Sequence, residues 1–140
     1  MRRGVLVVFV FLVLPVSLVY AQAIPVEVRV ILASREPGAR QDPTIHSLVR
    51  ELQRDFAYTN YRLLETHRGQ VSPEQPWRTA IAGGRQLSVA LMRAAGGRVE
   101  VRITTAGVNT LVGLQRGGRP ILLGGPPHQS GVLIIAISAH

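Results

Sequence analysis

RQLSVALMRAAGGRVEVRITT, residues 85–105, decides the fold. Leu87, Val89 and Leu91 alternate with polar or small neighbours, and so do Val99, Val101 and Ile103. A period of two is the mark of a strand with one buried face. Ala94-Ala95-Gly96-Gly97 stands between the two runs, and glycine supplies the positive φ that a tight hairpin needs. The stretch predicts two antiparallel strands, with Arg98, Glu100, Arg102 and Thr104 on the outward face of the second.

The same rhythm continues on either side. VNTLVGLQR (108–116) turns at Gly117-Gly118 into RPILLGG (119–125), and GVLIIAIS (131–138) follows. That last run is apolar at every position from Val132 to Ile137, as expected of a central strand or one covered on both faces. Upstream, IPVEVRVILAS (24–34) points Val26, Val28, Val30 and Leu32 one way and Glu27 and Arg29 the other. REPGARQD (35–42) reads as a loop. Asp42-Pro43 is a helix start, because Asp accepts from free backbone N–H groups and Pro suits the first helical position. Ile45, Leu48, Val49, Leu52 and Phe56 form one stripe at helical spacing, with Arg50, Glu51, Arg54 and Asp55 toward water. The helix is predicted to close near Tyr58–Asn60. YRLLETHRGQV (61–71) returns as a strand, SPEQPW (72–77) is loop, and Trp77 is expected to cap the core. The expected fold is therefore α+β. One amphipathic helix packs on a mostly antiparallel sheet of about eight strands, β-α-β and then a meander, with curling into a partial barrel as the other arrangement.

The first 23 residues stand apart. Arg2-Arg3, an apolar run from Val5 to Tyr20 and Ala21-Gln22-Ala23 are the three parts of a secretory signal peptide. The apolar run is shorter than the ~20 residues of a spanning helix, and Pro15 interrupts it. Expected organisation is a cleaved leader at 1–23, with Ala21 as a second cleavage site and retention as an anchor the rival, and one domain at 24–140. Flanking twin-arginine residues are missing, which points to the general export route and a periplasmic or secreted protein. The chain has no cysteine, which excludes a disulfide framework and a lipobox anchor. All sixteen basic residues are arginine, and the net charge is +8. Guanidinium groups pair bidentately with carboxylates and phosphates. Export and the scattered arginines without interleaved aromatics argue against nucleic acid. An envelope protein or an anionic glycan or lipid is the expected partner, with membrane contact only during export.

Motifs for chemistry are sparse. GGPPHQSG (124–131) resembles a phosphate loop only in its glycines. No lysine exists to complete a P-loop, the following GVLIIAIS is β-branched, and Pro126 and Pro127 remove two N–H donors. It reads as the loop of a hairpin. His46, His67, His128 and His140 show no metal-ligand spacing, so no metal or other cofactor is expected. Ser130 and His128 are the loop candidates for a spatially assembled hydrolase site, although no G-x-S-x-G elbow accompanies them. Glu27 and Glu100 are the carboxylates that strand pairing would bring together, and adjacent arginines would keep both ionised. The one feature with functional pull is an arginine-bearing sheet face, Arg29, Arg98 and Arg102, read as a docking surface or, more plainly, as a solvated face with cross-strand ion pairs each worth little. A free strand edge able to accept a partner strand is a second option.

LVRELQRDFAYTNYRLL (48–64) with ILLGGPPHQSGVLIIAI (121–137) resembles a family of small exported α+β proteins of Gram-negative bacteria. The resemblance covers about a third of residues 24–140 and brings no activity, cofactor or functional residue with it. Gly118 to Gly125 locally resembles a segment of bacterial outer-membrane secretins. The chain is far shorter than a secretin and lacks the Pro-Gly lip motif. The expected function is a non-enzymatic exported binding or assembly protein. The alternatives are a small Ser/His hydrolase and a binder of anionic envelope glycan or lipid.

Overall fold

A computed structural model of the protein describes residues 3–13, 23–36 and 42–140. Most of the expected leader cleavage site and most of the loop before Asp42 lie outside them. Residues 3–13 are exposed and carry no regular element. The body is eight strands and one helix: β1 Ile24–Ser34, α1 His46–Asp55, β2 Asn60–Val71, β3 Trp77–Ile81, β4 Arg85–Ala95, β5 Arg98–Thr105, β6 Val108–Gln115, β7 Ile121–His128 and β8 Gly131–Ala139.

The strands form two four-stranded antiparallel sheets, ordered β2-β1-β8-β7 and β3-β4-β5-β6. The α+β class and the meander hold, but the single sheet becomes two. Read around the molecule, each strand's neighbour is the next in the chain, and β8 returns to β1. That is the ring order of an up-and-down barrel. No hydrogen-bonded ladder joins β2 to β3 or β6 to β7, so the wall is open at two seams and the ring is flattened into a sandwich. Proline explains where it opens. The connection 72–76 holds Pro73 and Pro76, and the connection 116–120 ends in Pro120. The tight turns inside the second sheet hold no proline. At Gly96-Gly97 both residues have positive φ, 60° and 81°, and Ala95 pairs directly with Arg98. This is the two-residue turn whose twist matches the strands it joins.

The core between the sheets takes Val26, Val28, Val30 and Leu32 from β1 and Leu133, Ile135 and Ile137 from β8. They meet Leu87, Val89, Val99, Val101, Ile103, Val112 and Leu114 of the second sheet. Trp77 packs against this core, half-buried, and its ring crosses β2 at Gly69. A β-carbon there would lie within the indole, so only glycine fits.

A second, smaller core lies on the other face of the first sheet. Ile31, Ala33, Tyr61, Ile134 and Ala136 receive Leu48, Val49 and Leu52 of the helix and Ile45 just before it. β8 is therefore covered on both faces, as its sequence implies. β1 is too along Ile31–Ala33, so it is more than the half-buried strand its alternation suggests. Asp42 starts the helical segment as expected: its carboxylate accepts from the Thr44 amide at 2.9 Å and from the Leu63 amide of β2 at 3.0 Å. A single 3-10 turn, Pro43–Ile45, leads into α1. The helix stops at Asp55, earlier than its composition suggests. The single O–H of the buried Tyr61 lies between the carbonyls of Leu52 and Phe56, at 3.0 and 2.9 Å, and is shared by them, and Phe56 turns to extended backbone.

GGPPHQSG is a hairpin element, but most of it is strand. β7 runs through Gly124 to His128, and only Gln129-Ser130 form the turn, with Gln129 at φ 49°. Pairing shifts between Gly124 and Pro127, and that bulge on an edge strand houses the prolines without a lost ladder donor.

Candidate functional site

Arg29, Arg98 and Arg102 do not share a face. All three point away from the core between the sheets, but they belong to different sheets. Arg29 lies on the helix side of the first sheet, and Arg98 and Arg102 lie on the far side of the second. Alternation fixes inward and outward, and a sandwich has two outward faces pointing in opposite directions.

Arg29 is committed to an internal cluster. Its Nε donates to Glu27 Oε1 at 2.9 Å, while Arg68 of β2 donates to Glu27 Oε2, also at 2.9 Å. Glu27 is buried, with only 7% of its surface exposed. Burial pushes its carboxyl up, but the hydrogen bonds and charges of Arg68 and Arg29 outweigh that and hold it below its ordinary value of 4.5. Glu27 and Glu100 stand on opposite sides of the molecule and do not form a carboxylate pair. A group whose folded pKa is depressed stabilises the fold above its unfolded pKa, and that stability is lost as pH falls through the folded value. Glu27→Gln is therefore expected to cost about 1–2 kcal/mol at pH 7, the low end of a charge-assisted pair because Arg68 is largely in water. The cost should shrink as pH falls below 4.5. Urea unfolding of both proteins from pH 7 to pH 3 checks it; a pH-independent difference would mean that the charge contributes nothing.

The outer face of the second sheet is different: no element covers it among the described residues. Cross-strand register places Arg78 beside Ser88, Thr104 and Asn109. The next rows are Ala90, Arg102 and Leu111, then Arg93, Glu100 and Gly113, then Ala95, Arg98 and Gln115. Four arginines thus face one glutamate on this surface. Arg93, Ala95, Arg98 and Glu100 line a shallow hollow of about 370 Å³. The Arg98 guanidinium lies over Gly113, where an added β-carbon would sit 3.1 Å from its Nη2. Arg102 Nη1 donates to Asn109 Oδ1 at 3.0 Å. Both side chains thus reach from β5 onto β6.

His128 and Ser130 flank the β7–β8 turn. The Ser130 hydroxyl donates to the Glu36 carboxylate with no imidazole between them. His128, half-buried, lies against the Gly83 turn, next to the 2.7 Å hydrogen bond from Arg85 to the Pro127 carbonyl. The two residues are neighbours in the chain but do not form a nucleophile–base pair.

Two arrangements are not apparent from sequence. At the β2/β3 seam, Glu65 and His67 pair at 2.6 Å, and Thr79 Oγ1 lies 3.4 Å from His67 Nδ1. Three polar groups thus sit where the two sheets lack a ladder. Glu65-x-His67 is the spacing of same-face residues on a strand, and that was the available signal. The second is a cleft of about 420 Å³ beside α1, lined in part by Arg50, Arg54 and Arg119, where Arg119 meets Glu51 at 3.4 Å. It depends on where the 116–120 connection runs, which periodicity does not give. No helix among the described residues is long and apolar enough to cross a membrane. No protein-family model, curated protein or solved structure matches the chain.

Proposed function

We propose that this is a non-enzymatic exported protein of the bacterial envelope that binds or assembles with a partner protein through the outer face of its second sheet. One observation carries the reading: α1 packs on part of the outer face of the first sheet, while among the described residues no element covers the outer face of the second, which carries four arginines. A flat, cationic, four-stranded surface suits an acidic protein surface, since guanidinium groups pair bidentately with carboxylates. The leader-like sequence at 1–23 supports export. Ser130 is bonded to the Glu36 carboxylate and not to the His128 imidazole, which speaks against a Ser/His hydrolase site at that position. The same arginines also serve a second reading, a surface for anionic envelope glycan or lipid.

A photo-crosslinking residue at Ser88 or Ala90, in the middle of the bare face, tests the proposal in living cells. The expected result is a discrete protein adduct from both positions and none from Gln53 on the exposed side of α1. Adducts no stronger than those from Gln53 would defeat the proposal. Salt-sensitive binding of the purified protein to anionic vesicles or acidic polysaccharide, without protein adducts, would transfer the face to the second reading.

A further inference from the structure

We infer that β6 is a docking edge, which takes an extended, acidic segment of a partner protein as a fifth strand of the second sheet; the inference rests on the binding role proposed above and names where and by what chemistry the partner is held.

The four edge strands are not alike. An open edge presents unpaired N–H and C=O groups, and proteins commonly blunt it with charge, proline, bulges or brevity. β7 has Pro126, Pro127 and a shifted register. β2 has Arg62, Glu65 and Arg68 and a bulge opposite Val30/Ile31. β3 is five residues long, follows Pro76 and carries Arg78. β6 has none of these devices. Its eight residues, VNTLVGLQ, include no charge and no proline, and its pairing with β5 runs from Thr105↔Val108 to Arg98↔Gln115 without a shift. Leu111 stands half exposed in its middle, at 51%.

The hydrogen-bonding direction follows from the turn. Thr105 and Val108 flank a two-residue connection, so they exchange hydrogen bonds with one another. Alternation then turns the backbone groups of Thr110, Val112 and Leu114 toward β5 and those of Asn109, Leu111 and Gly113 toward the open edge. The Arg116 amide, in step with the even positions, indeed donates back to Gly97 at 2.9 Å. Three consecutive N–H and C=O pairs thus face outward, the length of ladder that strand addition uses.

Charge selects the occupant. Arg98 lies over Gly113 and Arg102 is hydrogen-bonded to Asn109, so both guanidinium groups lie on β6, one strand-spacing from any strand added beside it. Glycine at 113 leaves the room for Arg98 to cross. A strand beside β6 would present alternate side chains to these arginines, and acidic ones pair with them. Its other side chains would extend the row of Val112 and Leu114 at the core margin, which asks for apolar residues. A second copy of this chain would bring two pairs of arginines to one seam, which like-charge repulsion opposes.

The probe is a fluorescein-labelled ten-residue peptide alternating valine and glutamate, with a valine–lysine peptide as control. The acidic peptide should bind about tenfold more tightly than the control, the worth of two cross-strand opposite-charge pairs. It should slow hydrogen exchange at Asn109, Leu111 and Gly113. Leu111→Pro removes an outward N–H without touching the β5 ladder, so the variant should fold and lose binding. Should it not fold, the Arg98→Glu/Arg102→Glu variant serves in its place, with the preference between the peptides reversed. Equal binding of both peptides, exchange protection elsewhere than β6, or full binding by folded Leu111→Pro would overturn the inference. So would a wild-type dimer in sedimentation that Leu111→Pro makes monomeric, which would make a second copy the occupant. Ser88 adducts retained in Leu111→Pro cells would show the strand idea failing while the binding face survives. Loss of adducts in the wild type itself would end both.

Discussion

An Ile135→Ala variant will unfold about 3–4 kcal/mol below the wild type in urea, the upper range for a buried isoleucine cut to alanine. Ile135 has no exposed surface. It stands in the third strand of the first sheet between Val30 and Leu123 and faces the second sheet. Backbone ladders hold both neighbours in place, so the space left by the side chain closes poorly. Met92→Ala is the matched control: Met92 sits at the β4 bulge with 53% of its surface exposed and should change stability by no more than about 0.5 kcal/mol. A loss under about 1 kcal/mol at Ile135 would mean that the two sheets are not packed through this row.

The second large effect lies on the other side of the same sheet. Tyr61→Ala should cost about 3–5 kcal/mol, and Tyr61→Phe about 1–2 kcal/mol. The ring fills the space between α1 and the first sheet, with no exposed surface. Burial pushes its phenol up, so the hydroxyl stays a donor to the carbonyls of Leu52 and Phe56. The phenylalanine variant isolates that shared hydrogen bond, since it keeps the ring. Far-ultraviolet circular dichroism during urea unfolding separates the possibilities. One transition for helix and sheet is expected, because β1 and β8 belong to both cores. Early loss of the helix alone in Tyr61→Phe would show that α1 is an independent unit.

Much of this was visible in the chain beforehand, for a local reason. Alternation at 85–105 marks strands because side-chain direction has a period of two, and Gly96-Gly97 marks a turn because only glycine takes positive φ at little cost. Asp42 as a cap follows equally from its nearest neighbours. Sheet membership is a different matter. Arg29 and Arg98 have the same pattern around them, yet they face opposite directions, because a period of two carries no information on which sheet a strand joins. The available signal was the proline in the connections 72–76 and 116–120. Pro126 and Pro127 point toward loop at 124–131, yet a bulge on an edge strand is as hospitable to proline as a turn is. The bare face and the plain edge of β6 depend on what fails to pack there, and no single stretch of sequence records that.

The return of β8 to β1 sets the order of events when the polypeptide is made. Val26 pairs with Ala139, so the second strand from the edge of the first sheet waits for the last one to be synthesised. At roughly 5–20 residues per second, about a hundred intervening residues take some 5–20 seconds. Until then β1 has at most α1 and β2 to lean on, once these are made, with one of its two ladders unfilled. β3 to β6, by contrast, pair only with strands next to them in the chain and can assemble as they emerge. The nascent molecule is thus a locally paired half beside one whose sheet stays incomplete until its final nine-residue strand arrives.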